Sequence, residues 1–270
     1  MIIDFHSHAF PEAIAARALA ALGKCSGGLL PWTDGTVQGV AAQAARCGID
    51  KSVILNIATN AGQQAAVNDY AASINQAQAQ EDSGIAAFGS IHPFAPDAAD
   101  ELRRIKALGL KGVKLHPDYQ MFFADDERMF PLYALAAELG LITVFHAGVD
   151  IGLFEPVYGS PERIARALPA FNGGVVVAAH FGGYMQWDAV EEALVGKDVY
   201  FDTSYCAGRM PILQARRIVK NHGADRVLFG TDLPWGDPMA ELRFARAFEL
   251  SEEDEAKVLG GNAARLLGLI

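Results

Sequence analysis

A regular alternation of short apolar segments with longer Ala- and Leu-rich segments is the feature that most constrains the fold of this chain. The short segments have the length and composition of buried strands, and the longer ones have helical periodicity. Strands that alternate with helices pair in parallel, and eight such units favour a (β/α)8 TIM barrel, an α/β fold with a parallel closed sheet and outer helices. The predicted strands are residues 2–5, 52–58, 85–90, 112–116, 142–146, 175–180, 199–203 and 227–230.

Helical segments follow nearly every one of these strands. An open, doubly wound sheet is the alternative, but no Gly-x-Gly-x-x-Gly sequence follows the first strand. No internal repeat, low-complexity tract or linker interrupts the alternation, so residues 1–270 are expected to form one domain. The predicted helices are residues 10–23, 37–47, 63–80, 96–108, 126–139, 161–168, 187–195, 211–221, 238–249 and 251–267.

Composition limits the classes of function. The 270 residues are 51% hydrophobic and 20% charged, which is typical of a globular protein and argues against disorder. A net charge of −10 argues against a general nucleic-acid or anionic-membrane partner. The three cysteines form no Cys-x-x-Cys pair, and neither a secretory signal nor a membrane-spanning run is visible. A cytoplasmic location is therefore expected.

Histidines are concentrated at the ends of the predicted strands. His6 and His8 end the first strand, and because side chains alternate along a strand, both are expected on one face, with Asp4 below them. The other strand-end histidines are His92, His116, His146 and His180; only His222 lies in a helix-end segment. A single such histidine is commonly structural, but the carboxyl ends of barrel strands converge on one opening, so the group indicates a functional site.

Metal chemistry accounts for these residue types. Neutral imidazoles and a carboxylate bind zinc or a similar divalent ion, which lowers the pKa of a bound water towards about 7 and so generates hydroxide at neutral pH. Asp232, after the eighth strand, is suited to ligate the metal and to accept a proton, and His180 to orient water or polarise the substrate. Competing chemistries have weaker support, because neither a Gly-x-Ser-x-Gly elbow nor a phosphate-binding loop is present. Catalysis by Cys206, which merely follows the seventh strand, also has little support.

The order of the motifs resembles the amidohydrolase superfamily. His-x-His is followed by VFHAG, AAHFGG and GTDLPW, and the chain closes with GNAARLLGL. The sequence is most similar to the amidohydrolase-2-type branch, which includes the relatives of aminocarboxymuconate-semialdehyde decarboxylase. The resemblance implies metal ligation by His6, His8, His146 and Asp232, with His180 acting on water or substrate. TatD-type nucleases and histidinol-phosphatase-type phosphoesterases also begin with His-x-His, but their other metal-binding residues are not matched here.

The role of Lys114 is left open. In GVKLHP, Lys114 and His116 share a face that should point into the barrel, because Val113 and Leu115 suit the helix side. Binuclear relatives use a carboxylated lysine on this strand to bridge two metals, but Lys114 lies two residues before the strand end, deeper than such a bridge. We therefore expect one divalent metal, with zinc as the expected ion and a second ion left open. A buried ion pair of Lys114 with Asp4 or Asp202 is the alternative to a substrate contact.

Loops after the strands are expected to supply substrate contacts. Lys114, His116, Tyr119 and Trp235 are the candidate substrate-binding residues. Residues 24–35 form a loop long enough to cover a site, and a surface loop held in place by Trp32 is an equally good interpretation. Arg209 is a candidate carboxylate clamp, although a surface position is the simpler expectation. Packing of the loops onto the barrel is an equally good explanation for most of the further aromatic and polar candidates, which are Asp118, Gln120, Met121, Phe122, Phe123, Tyr158, Tyr184, Trp187 and Tyr205.

These observations predict a metal-dependent hydrolase that uses metal-bound hydroxide to attack an amide, lactone or ester carbonyl of a small substrate. The first alternative is metal-dependent, non-oxidative decarboxylation of an unsaturated or aromatic acid, which several arginines near the site would favour. The second is a non-catalytic protein with a closed structural metal site. The expected partners are a small-molecule substrate and a second copy of the chain in a homodimer, without nucleic acid or membrane.

Overall fold

A computed structural model describes residues 1–81 and 84–270 of the chain, including the side chains of all of these except residues 78–81. Eight parallel strands alternate with helices, as the TIM-barrel prediction requires. Within the described residues, no helix combines the length and apolar character needed to cross a membrane. The strands are β1 Ile3–Ser7, β2 Lys51–Leu55, β3 Ile85–Phe88, β4 Gly112–Leu115, β5 Ile142–Phe145, β6 Val176–Ala178, β7 Tyr200–Asp202 and β8 Val227–Leu228.

The α-helices surround these strands. Several of them begin with a proline in the first turn, where its fixed φ is compatible with the helix and its missing N–H is not needed. A single π-helical turn, Lys257–Gly261, joins the last two helices. The helices are α1 Glu12–Cys25, α2 Val37–Arg46, α3 Gln64–Glu81, α4 Ala98–Ala107, α5 Pro117–Gln120, α6 Phe130–Glu138, α7 Pro161–Ala167, α8 Trp187–Ala193, α9 Ile212–His222, α10 Pro238–Arg246, α11 Glu252–Ala256 and α12 Asn262–Leu267.

The strand pairing differs from a fully continuous sheet at two seams. Regular ladders pair neighbouring strands within a three-stranded sheet, β1-β2-β3, and a five-stranded sheet, β4-β5-β6-β7-β8. Between these two sheets there are only single bridges among the described residues, from Ser7 to Leu233 and from Gly89 to Val113. At both seams, side-chain oxygens accept hydrogen bonds from backbone N–H groups. Asp4 Oδ1 accepts from the Thr231 N–H at 2.9 Å, and Asn68 Oδ1 accepts from the Ser90 N–H at 2.8 Å.

The first strand contains an irregularity that aims the two histidines. Asp4 pairs with Ser52 and Ser7 with Ile54, so β1 has one more residue than β2 between these two pairs. Ile3 and Phe5 pack in the barrel interior, and the extra residue turns His6 towards the same interior. The prediction that Asp4 lies below the histidines on their face is therefore wrong, and its carboxylate instead faces Thr231.

Apolar side chains fill the lower barrel and leave the upper end polar. The interior cluster includes Phe5, Val53 and Val144, and α12 contributes Ala263 and Leu267 to it. Val113 and Leu115 belong to the outer cluster between strands and helices, as predicted, which turns Lys114 inwards. The carboxyl ends of the strands therefore carry the site.

Several predicted strands extend too far. The sixth was predicted to reach residue 180, but β6 ends at Ala178, and both His180 and Phe181 have positive φ values, 57° and 58°. A residue in the left-handed region cannot continue a strand. Helix α5, Pro117–Gln120, was not predicted, and it follows His116 directly.

Candidate active site

Five of the seven histidines line one cavity at the carboxyl ends of the strands. The cavity has a volume of about 540 Å³, and Lys114 and Asp232 line it together with His6, His8, His116, His146 and His180. His222 instead donates from Nε2 to the Val199 carbonyl at 2.8 Å, which links α9 to the segment before β7. His92, although it follows β3, lies outside the cavity lining and packs edge-on against Phe94.

Three ligand atoms converge at the end of β1. His6 Nε2 and His8 Nε2 are 3.2 Å apart, and Asp232 Oδ1 lies 3.4 and 3.2 Å from them, respectively. Ligands about 2.0–2.1 Å from a tetrahedral zinc ion are separated from one another by roughly 3.3–3.4 Å. The spacing and the donor types therefore suit a divalent metal held by these three residues, which together form one of the candidate metal clusters of the structure.

His146, the fourth predicted ligand, lies beside this group rather than within it. Its Nδ1 is 3.1 Å from His180 Nε2, and its Nε2 is buried without a hydrogen-bond partner among the described residues. An unpaired buried nitrogen is costly unless something binds it. The structure thus brings His146 and His180 to the site, and ligation by His146 stays a prediction.

Hydrogen bonds fix the orientation of both β1 histidines. His6 Nδ1 is 2.8 Å from Asp202 Oδ2, and His8 Nδ1 is 2.8 Å from the Leu55 carbonyl oxygen. Each contact places the ring proton on Nδ1 and leaves the Nε2 lone pair for a metal. Burial, together with the Lys114 ammonium, lowers the pKa of His6 to about 3, so its ring is neutral at pH 7.

Asp202, which the sequence offered only as a possible partner of Lys114, belongs to this site as the partner of His6. Its Oδ1 accepts from the backbone N–H groups of His180 and Ser204, at 3.0 and 3.1 Å, while its Oδ2 faces His6. Burial alone would raise the pKa of this carboxyl, but His6, His180 and Lys114 lower it below its usual range. Its position at the end of β7 is the signal that could have identified it.

Asp232 is ionised in this environment. Burial raises the pKa of its carboxyl, but the close contact with His8 and the electrostatic interactions with His6 and His180 outweigh burial and lower it to about 2. The carboxylate is therefore able to ligate a cation and to accept a proton. Both Asp232 and His180 have positive φ values, 61° and 57°, a strained backbone conformation that is commonly found at functional residues.

A second cluster of possible ligand atoms lines the same cavity. Ligand atoms of His116, His146 and Asp150 lie within 4.8 Å of one another, and the His116 and His146 rings are stacked with centroids 4.1 Å apart. Burial lowers the pKa of both histidines well below the ordinary value. Asp150, in the loop after β5, was not identified from the sequence.

Lys114 is fully buried and reaches the end of the cavity that His6, His8 and Asp232 line. Its Nζ lies 3.4 Å from His6 Nε2, and no ion pair within 4.0 Å is found for it among the described residues. The proposed pair with Asp4 or Asp202 is therefore not formed as a contact, although Asp202 and Asp232 act on Lys114 at longer range. Burial lowers the pKa of the ammonium to about 8.

The predicted substrate contacts separate into two groups. Tyr119 and Trp235 line the cavity, as do Tyr184 and Tyr205. The others mainly support the loops: the Gln120 amide donates to two backbone carbonyls, Phe123 stacks on Tyr158, Phe122 is buried, and the Trp187 indole donates to the His180 carbonyl. Arg209 is exposed and stacks on Tyr205, with the guanidinium carbon 3.6 Å from the ring centroid.

A barrel with a cluster of imidazole and carboxylate groups at the carboxyl ends of its strands is typical of metal-dependent enzymes. A family model described as Amidohydrolase matches residues 3–269, and the chain therefore belongs to the amidohydrolase family. This result confirms the resemblance drawn from the strand-end motifs.

Solved structures with the same fold cover almost the whole chain. An uncharacterised TIM-barrel protein from Bordetella bronchiseptica has a TM-score of 0.77 and 21% identity, covering 99% of this chain and 98% of its own. An amidohydrolase from Staphylococcus aureus, described as putative, has a TM-score of 0.70, 17% identity and 99% coverage of both chains. A dihydroxybenzoic acid decarboxylase from a Polaromonas species, with bound manganese and the inhibitor 2-nitroresorcinol, has a TM-score of 0.70, 16% identity and coverage of 99% and 97%. These similarities show the fold.

Proposed function

We propose that the chain is a metal-dependent hydrolase that attacks an amide, lactone or ester carbonyl of a small, largely neutral substrate. The observation that carries this proposal is the convergence of His6, His8 and Asp232 at the wall of an open cavity. Lys114 is the only lysine or arginine among the described residues that line this cavity. A substrate with several carboxylates would need more cationic partners than this site offers.

The residues that line the cavity have different roles, which follow from their positions. His6, His8 and Asp232 would hold the metal, with His146 as the fourth ligand that the family resemblance implies. When bound, a divalent metal would polarise the carbonyl and make a water molecule more acidic. Asp232 accepts the proton that the attacking water loses, because its carboxylate is ionised at neutral pH.

The other polar residues position the substrate and orient the reacting groups. His180 is held from Nδ1 by the Ser204 carbonyl at 3.0 Å, so its Nε2 edge points towards His146 and the reacting groups. Lys114 and Tyr119 line the cavity and would contact substrate oxygens. Because the three-atom cluster opens onto a cavity of this size, a closed structural metal site has less support than a catalytic one.

Decarboxylation on the same metal is the second candidate. The decarboxylase from Polaromonas shares this fold and binds manganese, which supports a related chemistry and leaves zinc as one of two metals to test. Two observations argue against decarboxylation: Arg209 packs on Tyr205 at the surface, and no arginine among the described residues lines the cavity. Hydrolysis therefore remains the preferred activity, with the homodimer and the cytoplasmic location as further predictions from the sequence.

The test is an activity panel on protein freed of metal and then loaded with zinc or manganese. Esters, lactones and amides are assayed for hydrolysis, and hydroxybenzoates for loss of carbon dioxide. We expect metal-dependent hydrolysis that falls at least about 10³-fold in Asp232→Asn and is unchanged in Asp100→Asn, a surface control. Decarboxylation without hydrolysis would select the second candidate. If neither class of substrate is turned over with either metal, both candidates are rejected.

A further inference from the structure

The cavity continues from the metal-binding end into a cleft between α1 and α3. This extension, here called the apolar arm, is lined by Ile14, Ala18 and Leu22 of α1, Leu29 of the following loop, and Val67 and Tyr70 of α3. None of these six side chains is fully buried. The arm and the histidine cluster belong to the same cavity.

The sequence of α1 builds the arm through two adjacent stripes. Ala15, Leu19 and Gly23 recur every four residues and are buried against the rest of the protein. Ile14, Ala18 and Leu22 follow the same spacing one residue earlier, so they form a parallel stripe that faces the cavity. The stripe from Ile14 to Leu22 spans about 12 Å of helix.

The loop that follows α1 forms part of the wall of the arm. A side chain at Gly23 would place its Cβ 2.8 Å from the Leu29 carbonyl oxygen, so the glycine allows Leu29 to lie against the end of α1. The Trp32 N–H donates to the Pro234 carbonyl at 2.7 Å, and the Phe10 N–H donates to the Gly35 carbonyl at 2.8 Å. These bonds attach residues 24–35, predicted to cover a site, to the loops that follow β1 and β8.

Charge is separated along the cavity. Its charged lining residues, Lys114, Asp150 and Asp232, all lie at the histidine end. The arm carries apolar side chains, with the uncharged Ser26, Thr59 and Gln63 near them. A ligand that fills both parts must therefore be polar at one end and hydrocarbon at the other.

We propose that the apolar arm binds a linear alkyl or acyl chain of the substrate. The proposal rests on the proposed function for the position of the reacting carbonyl, which lies at the metal-binding end. A flexible chain would bury the half-exposed side chains of α1 and α3, and each buried methylene would increase kcat/KM about two- to fourfold. The substrate class is therefore an ester, lactone or amide with a medium-length hydrocarbon chain.

Two substitutions are designed to block the arm. Ala18→Phe adds a ring to the centre of the α1 stripe, and Val67→Phe does so from α3 on the opposite wall. Ala20→Phe makes the same change on the exposed face of α1, outside the cavity lining, and serves as the matched control. Each protein is loaded with metal, checked by thermal melting, and assayed with p-nitrophenyl esters of increasing acyl length, from about two to ten carbons.

A binding measurement separates this proposal from the proposed reaction. Alkyl hydroxamates of the same chain lengths bind a metal with their polar end, and calorimetry measures their affinity without any turnover. In the wild type and Ala20→Phe, affinity and kcat/KM should increase at least tenfold from the shortest to an eight-carbon chain. In Ala18→Phe and Val67→Phe, this increase should fall below threefold.

The outcomes distinguish the two claims. Hydroxamate affinity that rises with chain length, without hydrolysis of any ester, lactone or amide of the activity panel, would support the arm and reject the hydrolase. Hydrolysis or hydroxamate binding that is independent of chain length in the wild type would overturn the arm. The arm would also be overturned if both blocked variants kept the chain-length preference, or if they lost a dimer that Ala20→Phe retains, because a partner chain would then occupy the cleft.

Discussion

Substitution of Asp202 by asparagine should weaken metal binding although Asp202 is not itself a member of the three-atom cluster. The two carboxylate oxygens accept from different sides: Oδ2 faces His6 Nδ1 at 2.8 Å, and Oδ1 accepts from the backbone N–H groups of His180 and Ser204. An asparagine has one acceptor oxygen, so its NH2 group must face either the His6 ring N–H or the two backbone N–H groups. In either orientation at least one buried donor loses the carboxylate oxygen that accepts from it.

The expected size of the effect follows from the loss of a charged partner for a metal-ligating imidazole. Such a change costs about 10- to 100-fold in metal affinity, which corresponds to roughly 1.4–2.7 kcal/mol. The loss of this acceptor should also reduce the stability of the metal-free protein by about 1–3 kcal/mol. The assay is competition with a chromogenic chelator, accompanied by urea unfolding of the metal-free protein.

Asp4→Asn is the matched control. Asp4 is also a buried aspartate near His6, but its Oδ1 accepts from backbone N–H groups and its Oδ2 from the Thr231 hydroxyl. An asparagine keeps the first oxygen, and its NH2 group can donate to the hydroxyl, so metal affinity should change less than about threefold. A folded Asp202→Asn protein that binds metal within twofold of the wild type would refute the assigned role of Asp202.

Three further predictions concern single residues. Lys114→Met should stabilise the metal-free protein against urea at pH 7 by about 1–3 kcal/mol, because it removes a buried ammonium that has no ion-pair partner within the described structure; an unchanged or lower unfolding free energy would contradict this. Burial lowers the pKa of His222 to about 4 in spite of its bond to the Val199 carbonyl, so its imidazole binds a proton more readily in the unfolded state. The contribution of His222 to the free energy of unfolding is therefore complete above pH 6.5 and is lost as the pH falls towards 4. His222→Gln should remove about 2–3 kcal/mol of this pH dependence, measured as the difference in unfolding free energy between pH 7.5 and 4.5; equal pH dependence in both proteins would count against it. Asp150→Asn should leave one equivalent of metal per chain by elemental analysis, whereas a decrease from two equivalents to one would show that the His116–His146–Asp150 cluster holds a second ion.

The sequence predicts the fold well because the strand–helix alternation is periodic and local. The same periodicity places Lys114 and His116 inside the barrel, and the structure confirms this placement. It could not reveal the extra residue in β1, since Asp4 and His6 share a face in a regular strand. The two seams in the sheet are equally hidden, because side chains distant in sequence, such as Asn68, replace the ladder bonds there.

The candidate site was predictable where its chemistry is carried by rare residues at strand ends. His6, His8 and Asp232 were found in this way, and their atoms converge. Asp202 and Asp150 were not, because aspartates are common and only three-dimensional contacts distinguish a histidine partner from a surface carboxylate. The apolar arm could not be seen either, since Ile14, Ala18 and Leu22 have the spacing of any helix face that packs on a core.

Anomalous diffraction from crystals of the metal-loaded protein is the most direct test of the central claim. One strong peak is expected within about 2.0–2.3 Å of His6 Nε2, His8 Nε2 and a carboxylate oxygen of Asp232. Metal-loaded crystals without a peak at these three atoms, or with the ion bound only elsewhere, would contradict the account of the site and of the reaction built on it.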